Sequence, residues 1–332
     1  MQSVWGYPQG SRRTLMTVWR HINVPEAGYA HAMSVAIQRA GRVCPNLLWP
    51  VNDGIQLLLS DYSGQHRGAT HEVYSFLIAT WDTVQDWLPL RDEFRARWLP
   101  DGRRISFKQL REPMRRRAYP HFLELVGLLQ ANLITFMIDC RVRTFVDGGP
   151  EALAAELNDC FLPGTSGSTI EKIYRIALFV AMIQAGLRDE AQQSYWISDQ
   201  DEILDSFQKG EGFARLATYL SFGLTGWRNA AEQGFLTTAA LDTPDWVEDM
   251  AAIPDIAAGA CARLSSHLPT FLGRPTWTIG RSSAGVADWR ALAFANWLSE
   301  PRGIIRHVLV RLEPNADGEI QASAQSFQRP TK

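Results

Sequence analysis

The sequence predicts an α/β protein, a mixed β-sheet with helices on both faces. Three observations lead there. Residues 54–60 and 132–138 are nearly continuous apolar runs of strand length, as buried strands of such sheets are. Residues 72–80, rich in aromatic and β-branched side chains, follow the first run closely enough to return as its hairpin partner. Beyond residue 113, helical patterns alternate with strand patterns, the order that builds crossover units.

Taken in order, residues 1–50 read as an N-terminal extension with a short helix from Tyr29 to Ala40, ended by Gly41 and punctuated by Pro45 and Pro50. A central strand, Gly54 to Ser60, runs into Asp61-Tyr-Ser-Gly64, and a loop from Gln65 to Thr70 leads to the antiparallel strand Glu72–Thr80. The polar, Arg-rich stretch from Trp81 to Pro113 holds one weak strand pattern, Arg104 to Lys108, before a helix from Met114 to Leu129. The strand Asn132–Ile138 ends on Asp139, and residues 141–168 read as irregular or partly helical. Ser168-Thr-Ile-Glu171 is a capping-box pattern opening a helix that reaches Gly186. The short strand Ser194–Ser198 ends on Asp199-Gln-Asp201-Glu202. A helix from Gly212 to Trp227, a strand from Phe235 to Ala240 and a helix from about Asp255 to His267 follow. A helix from Asp288 to Leu298, a strand from Ile304 to Leu312 and a mobile polar tail complete the expectation. The domain boundaries expected are 1–50 for the extension, 51–312 for the sheet domain with helical insertions, and 313–332 for the tail.

Composition bounds the function. The 332 residues are 46% hydrophobic and 20% charged, which excludes disordered and collagen-like chains. With 33 basic against 35 acidic side chains the formal net charge is −2, so no global field draws the protein to nucleic acid or to a membrane. Any polyanion must be held by a local patch. Only four of the basic residues are Lys, and the Arg surplus suits bidentate phosphate recognition as well as codon bias. The four cysteines are far apart and form no Cys-x-x-Cys pair, so a reducing cytoplasm is expected. The longest apolar run, Ala177 to Ile183, is well short of the roughly 20 residues that span a bilayer, and no membrane association is expected.

The chemistry gathers on aspartates. If the strands at 55–60, 132–138 and 194–198 are parallel neighbours, their carboxyl ends bring Asp61, Asp139 and Asp199 to one rim, where ligand sites of open α/β sheets form. Carboxylates so close repel unless a cation neutralises them, and hard oxygen ligands suit Mg²⁺ or Mn²⁺.

The strand order and strand-terminal acids resemble the ribonuclease-H-like superfamily of nucleases, resolvases, transposases and integrases. Leu58-Leu-Ser-Asp61-Tyr-Ser-Gly64 is similar to the "DESG" strand end that opens a ribonuclease-H-like domain-of-unknown-function family, and Ile253-Pro-Asp255-Ile-Ala-Ala-Gly259 resembles its closing "ADLIAG" helix. The likeness spans about residues 54 to 268, through short motifs only. It implies a ribonuclease-H-like sheet and a metal-dependent nuclease, of a mobile element or a defence system, with Asp61, Asp139, Asp199 and Asp255 as catalytic ligands and Asp201 as a further metal ligand. Two closely spaced ions would then steady the attacking and leaving oxygens. Tyr62 stands where the family has glutamate and Pro254 where it usually has alanine, so a catalytically degenerate protein that binds nucleic acid or a partner protein is the second reading. Val286-Ala-Asp288 is a looser match to the closing motif; Asp255 is preferred because Ala-Ala-Gly259 lets its helix pack closely on the sheet.

Charge position adds weaker support. Residues 91–117 hold ten basic side chains against four acids, a local net of +6, and residues 189–211 hold seven acids against Lys209, a local net of −6. Arg103, Arg104, Lys108, Arg111, Arg115, Arg116 and Arg117 are the candidate phosphate-binding set. Each acid also has a structural reading: Asp61 as a turn residue, Asp139 as the partner of Arg141 or Arg143, Asp199, Asp201 and Asp255 as helix caps. A third class, an assembly subunit or homo-oligomer that touches no nucleic acid, fits the same composition.

Overall fold

The structure, a computed structural model, describes residues 18–51, 54–64, 68–158, 161, 165–198, 207–227, 233–238, 244–265, 276–278, 288–300 and 303–328. Its strands are β1 (Gln56–Ser63), β2 (His71–Thr80), β3 (Ala131–Asp139), β4 (Ser194–Ser198), β5 (Gln233–Thr237), β6 (Thr276–Thr278), β7 (Arg306–Pro314) and β8 (Ile320–Gln328). Its helices are α1 (Tyr29–Val43), α2 (Trp81–Trp98), α3 (Pro113–Val126), α4 (Gly149–Asn158), α5 (Gly167–Leu187), α6 (Phe207–Thr225), α7 (Asp245–Leu264) and α8 (Trp289–Leu298). The fold is α/β. Seven strands run in the order β5-β4-β1-β2-β3-β7-β8, and the three-residue β6 pairs with the far edge of β8. β2 is antiparallel to both β1 and β3, whereas β4 is parallel to β1, β5 to β4, and β7 to β3.

Alternation along the strands divides the core into two layers. Leu58, Phe76, Phe136 and Val308 face one side, where α1, α4, α5 and α6 cover them; nearly every residue of α5 is buried, and its Phe179 ring stacks on Phe136 at 4.2 Å. Leu57, Leu59, Leu77, Leu133 and Leu309 face the other side, under α2, α3, α7 and α8. Trp19, Ile22 and α1 lie in the first layer, so residues 18–43 pack as part of the sheet's own core. Among the described residues no helix is long and apolar enough to cross a membrane.

Several elements depart from expectation, each for a physical reason. β1 and β3 run in the same direction but are not neighbours, because the connection that ends in β3 starts from the reversed strand β2, which pairs with both. Trp81–Trp98 is a helix: Val84, Trp87, Arg91 and Phe94 form its buried stripe, and the Arg at a core position hides the period. Residues 104–106 form no strand, and a 3₁₀ turn, Phe107–Arg111, follows them. α5 is N-capped at Ser166, so Ser168 lies inside the first turn, and the Glu171 carboxylate instead accepts from the Phe145 N–H (2.9 Å) and from Arg175 Nε (2.9 Å). α7 begins ten residues earlier than expected, with Pro254 inside it; proline removes one intrahelical bond, while Val247, Met250, Ile253, Ala257 and Leu264 carry the apolar stripe straight through. The polar tail contains β8, whose buried Ser323 and Gln325 made it look solvent-exposed.

Candidate functional site

Asp61 lies on β1 two residues after Leu59, on the face that α7 covers. It lines a cavity of about 200 Å³ together with Asp255 and Glu248 from α7, Arg104, Ser106 and Gln109 from the insertion between α2 and α3 (residues 99–112), and Thr238 after β5. β4 ends at Ser198, which pairs with Ser60, one residue before Asp61. Asp199 and Asp201 lie outside the described residues.

A second cavity, of about 530 Å³, shares Asp255 with the first. The hairpin supplies Ser63, Gly64, Thr70 and His71; the insertion supplies Phe107, Lys108 and Arg111; α7 and α8 supply Gly259, Arg263 and Arg290. Asp255, Gly259 and Arg263 follow at steps of four, so one face of α7 presents an acid at the boundary and a cation further along. Gly64, with φ of +80°, has no room for a side chain: a Cβ there would stand 2.2 Å from the His71 carbonyl oxygen.

Phe107 fastens the insertion to this wall. Its N–H donates to Asp255 Oδ2 at 2.5 Å, its ring covers Gly259, and Arg290 donates to its carbonyl (2.7 Å) while standing 4.2 Å above its ring. A Cβ at Gly259 would meet that ring at 2.4–2.9 Å, so the glycine admits Phe107 as well as letting α7 lie on the sheet. Arg290 is in turn gripped by Asp288 through two hydrogen bonds of 2.9 and 2.5 Å, which hold the Asp288 carboxyl below its ordinary range against the opposing effect of burial.

The other expected residues scatter. Asp61 pairs with Ser75, and Ser75 with Thr135, four residues before Asp139, so Asp139 stands about 13 Å further along the sheet and two strands across. There it receives Arg141 at 2.9 and 2.8 Å; burial acts to raise its carboxyl pKa, and the Arg141 side-chain and backbone hydrogen bonds and nearby positive charge together keep it below the usual range. Arg103 pairs with Asp101 and Glu112, Arg104 with Glu248, and Arg115 with Glu112 (2.5 Å). Arg116 lies 4.9 Å over the Trp289 ring, and Arg117 is exposed on α3. Of the seven basic candidates, only Lys108 and Arg111 line the larger cavity, and both are exposed. Much of the +6 segment is therefore neutralised internally: Arg91 and Arg95 both bind the fully buried Asp249, at 2.6 and 2.8 Å through their Nε atoms.

Sequence reasoning missed Phe107, Arg263 and Arg290. Counting helical steps forward from Asp255 would have reached Arg263; nothing local marks Phe107, whose partners lie about 150 and 180 residues away.

The carboxylates of Asp61, Asp255 and Glu248 at the smaller cavity are oxygen donors of the kind a hard cation such as Mg²⁺ or Mn²⁺ takes, with Glu248 paired to the Arg104 of the same lining. Among the described residues no three His, Cys, Asp or Glu side chains are gathered closely enough to hold an ion by themselves. No protein-family model and no curated protein matches this chain.

Proposed function

We propose that the chain is a ribonuclease-H-like, divalent-metal-dependent phosphodiester hydrolase acting on nucleic acid. One observation carries the reading: Asp255 belongs at once to the carboxylate cavity with Asp61 and to the basic cavity with Lys108, Arg111 and Arg263. Phosphodiester cleavage needs those two surfaces side by side, one to hold metal and one to hold backbone. The order β3-β2-β1-β4-β5, with β2 reversed and the closing acid on the helix after β5, supports the ribonuclease-H-like part of the reading.

Asp61 and Asp255, with Glu248 beside them, would hold the metal, which when bound supplies a Lewis acid and a water of lowered pKa. The Phe107 N–H orients the Asp255 carboxylate from the insertion side. Lys108, Arg111 and Arg263 would position the phosphates that flank the scissile bond, and Ser106, Gln109 and Thr238 can hydrogen-bond water or substrate oxygens.

A second reading, a protein that binds nucleic acid without cutting it, is favoured by the ties inside the site: Glu248 pairs with Arg104, Asp255 accepts from Phe107, and Tyr62, at the family's glutamate position, bonds Ser60 at 2.8 Å. The two separate in one experiment. The full chain is incubated with labelled single- and double-stranded DNA, RNA and a hybrid, with Mg²⁺, Mn²⁺ or chelator. Metal-dependent cleavage that Asp61→Asn lowers to the chelator background supports the hydrolase. Metal-independent binding, unchanged in Asp61→Asn and without cleavage of any probe, supports the second reading.

A further inference from the structure

The larger of the two cavities that meet at Asp255, about 530 Å³, lies between two walls. Residues 63–64 and 68–71 of the hairpin form one, the 3₁₀ turn Phe107–Arg111 forms the other, and α7 is the floor. Lys108 and Arg111 stand three residues apart in that turn, and at this spacing the side chains of a 3₁₀ helix eclipse, so both leave it on one side. Ser106 and Gln109, also three apart, face the smaller cavity instead. Arg263 reaches the larger cavity from α7, about two turns beyond Asp255.

These three cations remain to meet a ligand. Lys108 and Arg111 are exposed, with no acid paired to either among the described residues, and Arg263, also exposed, lies 3.9 Å from Asp288. Arg290, the fourth cation of the lining, is held by Asp288 and by the Phe107 carbonyl. Asp255 is the one carboxylate among the described lining residues, and its Oδ2 accepts from the Phe107 N–H. Of the other cations from 103 to 117, Arg103, Arg104 and Arg115 pair with acids, Arg116 lies over Trp289, and Arg117 stands on α3 outside the lining. Free positive charge here is gathered around one concavity and is not spread along a face.

That distribution selects the form of the ligand. A duplex carries its phosphates on the outside of a rod whose major groove alone is about 12 Å wide, and a protein meets them with cations spread over an open surface. A cavity of about 530 Å³ has the size of a site for one small ligand, and between its two walls it admits one extended backbone. Thr70 Oγ1 and Ser265 Oγ, 3.2 Å apart on the same lining, offer hydroxyls to the base edges that an unpaired strand exposes.

We propose, resting on the reading of this site as one for nucleic acid, that it takes a single strand in preference to a duplex, the backbone entering between hairpin and insertion with its phosphates on Lys108, Arg111 and Arg263.

The full chain, with chelator so that nothing is cut, is titrated into a fluorescent oligonucleotide of about twelve nucleotides, alone or annealed to its complement, and anisotropy is followed at several salt concentrations. The single strand is expected to bind about tenfold more tightly than the duplex, or better. Contacts from the three cations predict a slope of log K against log salt of about −2, and Arg263→Gln should reduce its magnitude by about 0.7. Arg117→Gln, outside the cavity, should leave the slope unchanged. A duplex bound as tightly as the single strand overturns the proposal, as does a slope that Arg263→Gln leaves in place; metal-dependent cleavage would survive either result. Binding of neither form overturns the nucleic-acid reading itself, and the single-strand proposal with it.

Discussion

Two halves of one basic segment meet different fates. From residue 91 to 104 four of the five arginines turn inward or lie along acids: Arg91 and Arg95 clasp Asp249, Arg103 bridges Asp101 and Glu112, and Arg104 meets Glu248, while Arg97 lies over the Trp98 ring. From 107 to 111 the chain makes a single 3₁₀ turn, and there Lys108 and Arg111 remain exposed at the mouth of the larger cavity. The difference teaches that a charge count along the sequence does not measure a surface field. Asp249 and Glu248 stand about 150 residues away, and only folding decides which cations they consume. The first half then holds the insertion in place, and the second half is what it displays.

The largest effect should come from the inward half. Asp249→Ala strips Arg91 and Arg95, whose side chains are 8% and 12% exposed, of a shared acid, and should cost about 3–5 kcal/mol in urea denaturation. A loss below about 1 kcal/mol would mean that the pair is incidental to the fold. Next is the clasp that Asp255, Gly259 and Arg290 form around Phe107: Gly259→Leu places side-chain atoms where the Phe107 ring lies and should cost about 1–3 kcal/mol, with weakened nucleic-acid binding as the turn that carries Lys108 and Arg111 shifts. A smaller effect should appear with acid. The folded-state pKa of Asp288 lies below its ordinary value, so the stability it contributes is present above about pH 4 and is lost as pH falls through the folded pKa. Asp288→Asn should flatten that part of a melting-temperature profile; an unchanged profile would detach Asp288 from the clasp. The smallest stability effect belongs to the displayed half. Lys108→Ala and Arg111→Ala should each change stability by less than about 0.5 kcal/mol, yet each should lower the slope of log K against log salt by about 1. A slope that stays put would remove the cavity from the phosphate path.

Legibility followed the same division. The hairpin of β1 and β2, β3, β4 and the long α5 were visible because unbroken apolar runs and short turns need no distant partner. α2 and the first ten residues of α7 were hidden by Arg91 at a core position and by Pro254 within a helix, local signals that tertiary pairing and an uninterrupted apolar stripe override. At the site, the two motif aspartates, Asp61 and Asp255, share a cavity, whereas Asp139 shared only their residue type and strand end. Its separation is a matter of register and strand order, which no local pattern encodes. The clasp at Phe107 was invisible for the opposite reason, since an aromatic residue in a polar stretch carries no local mark of its three distant contacts.

The central claim, that Asp61 and Asp255 serve one metal site, is tested most directly by titrating the metal-free protein with Mn²⁺ and following the free-ion resonance by electron paramagnetic resonance. Wild-type protein should remove Mn²⁺ from solution, and Asp61→Asn and Asp255→Asn should each abolish most of that binding, with the double variant scarcely worse than either alone. Binding retained in both single variants, with circular dichroism unchanged, would contradict the account.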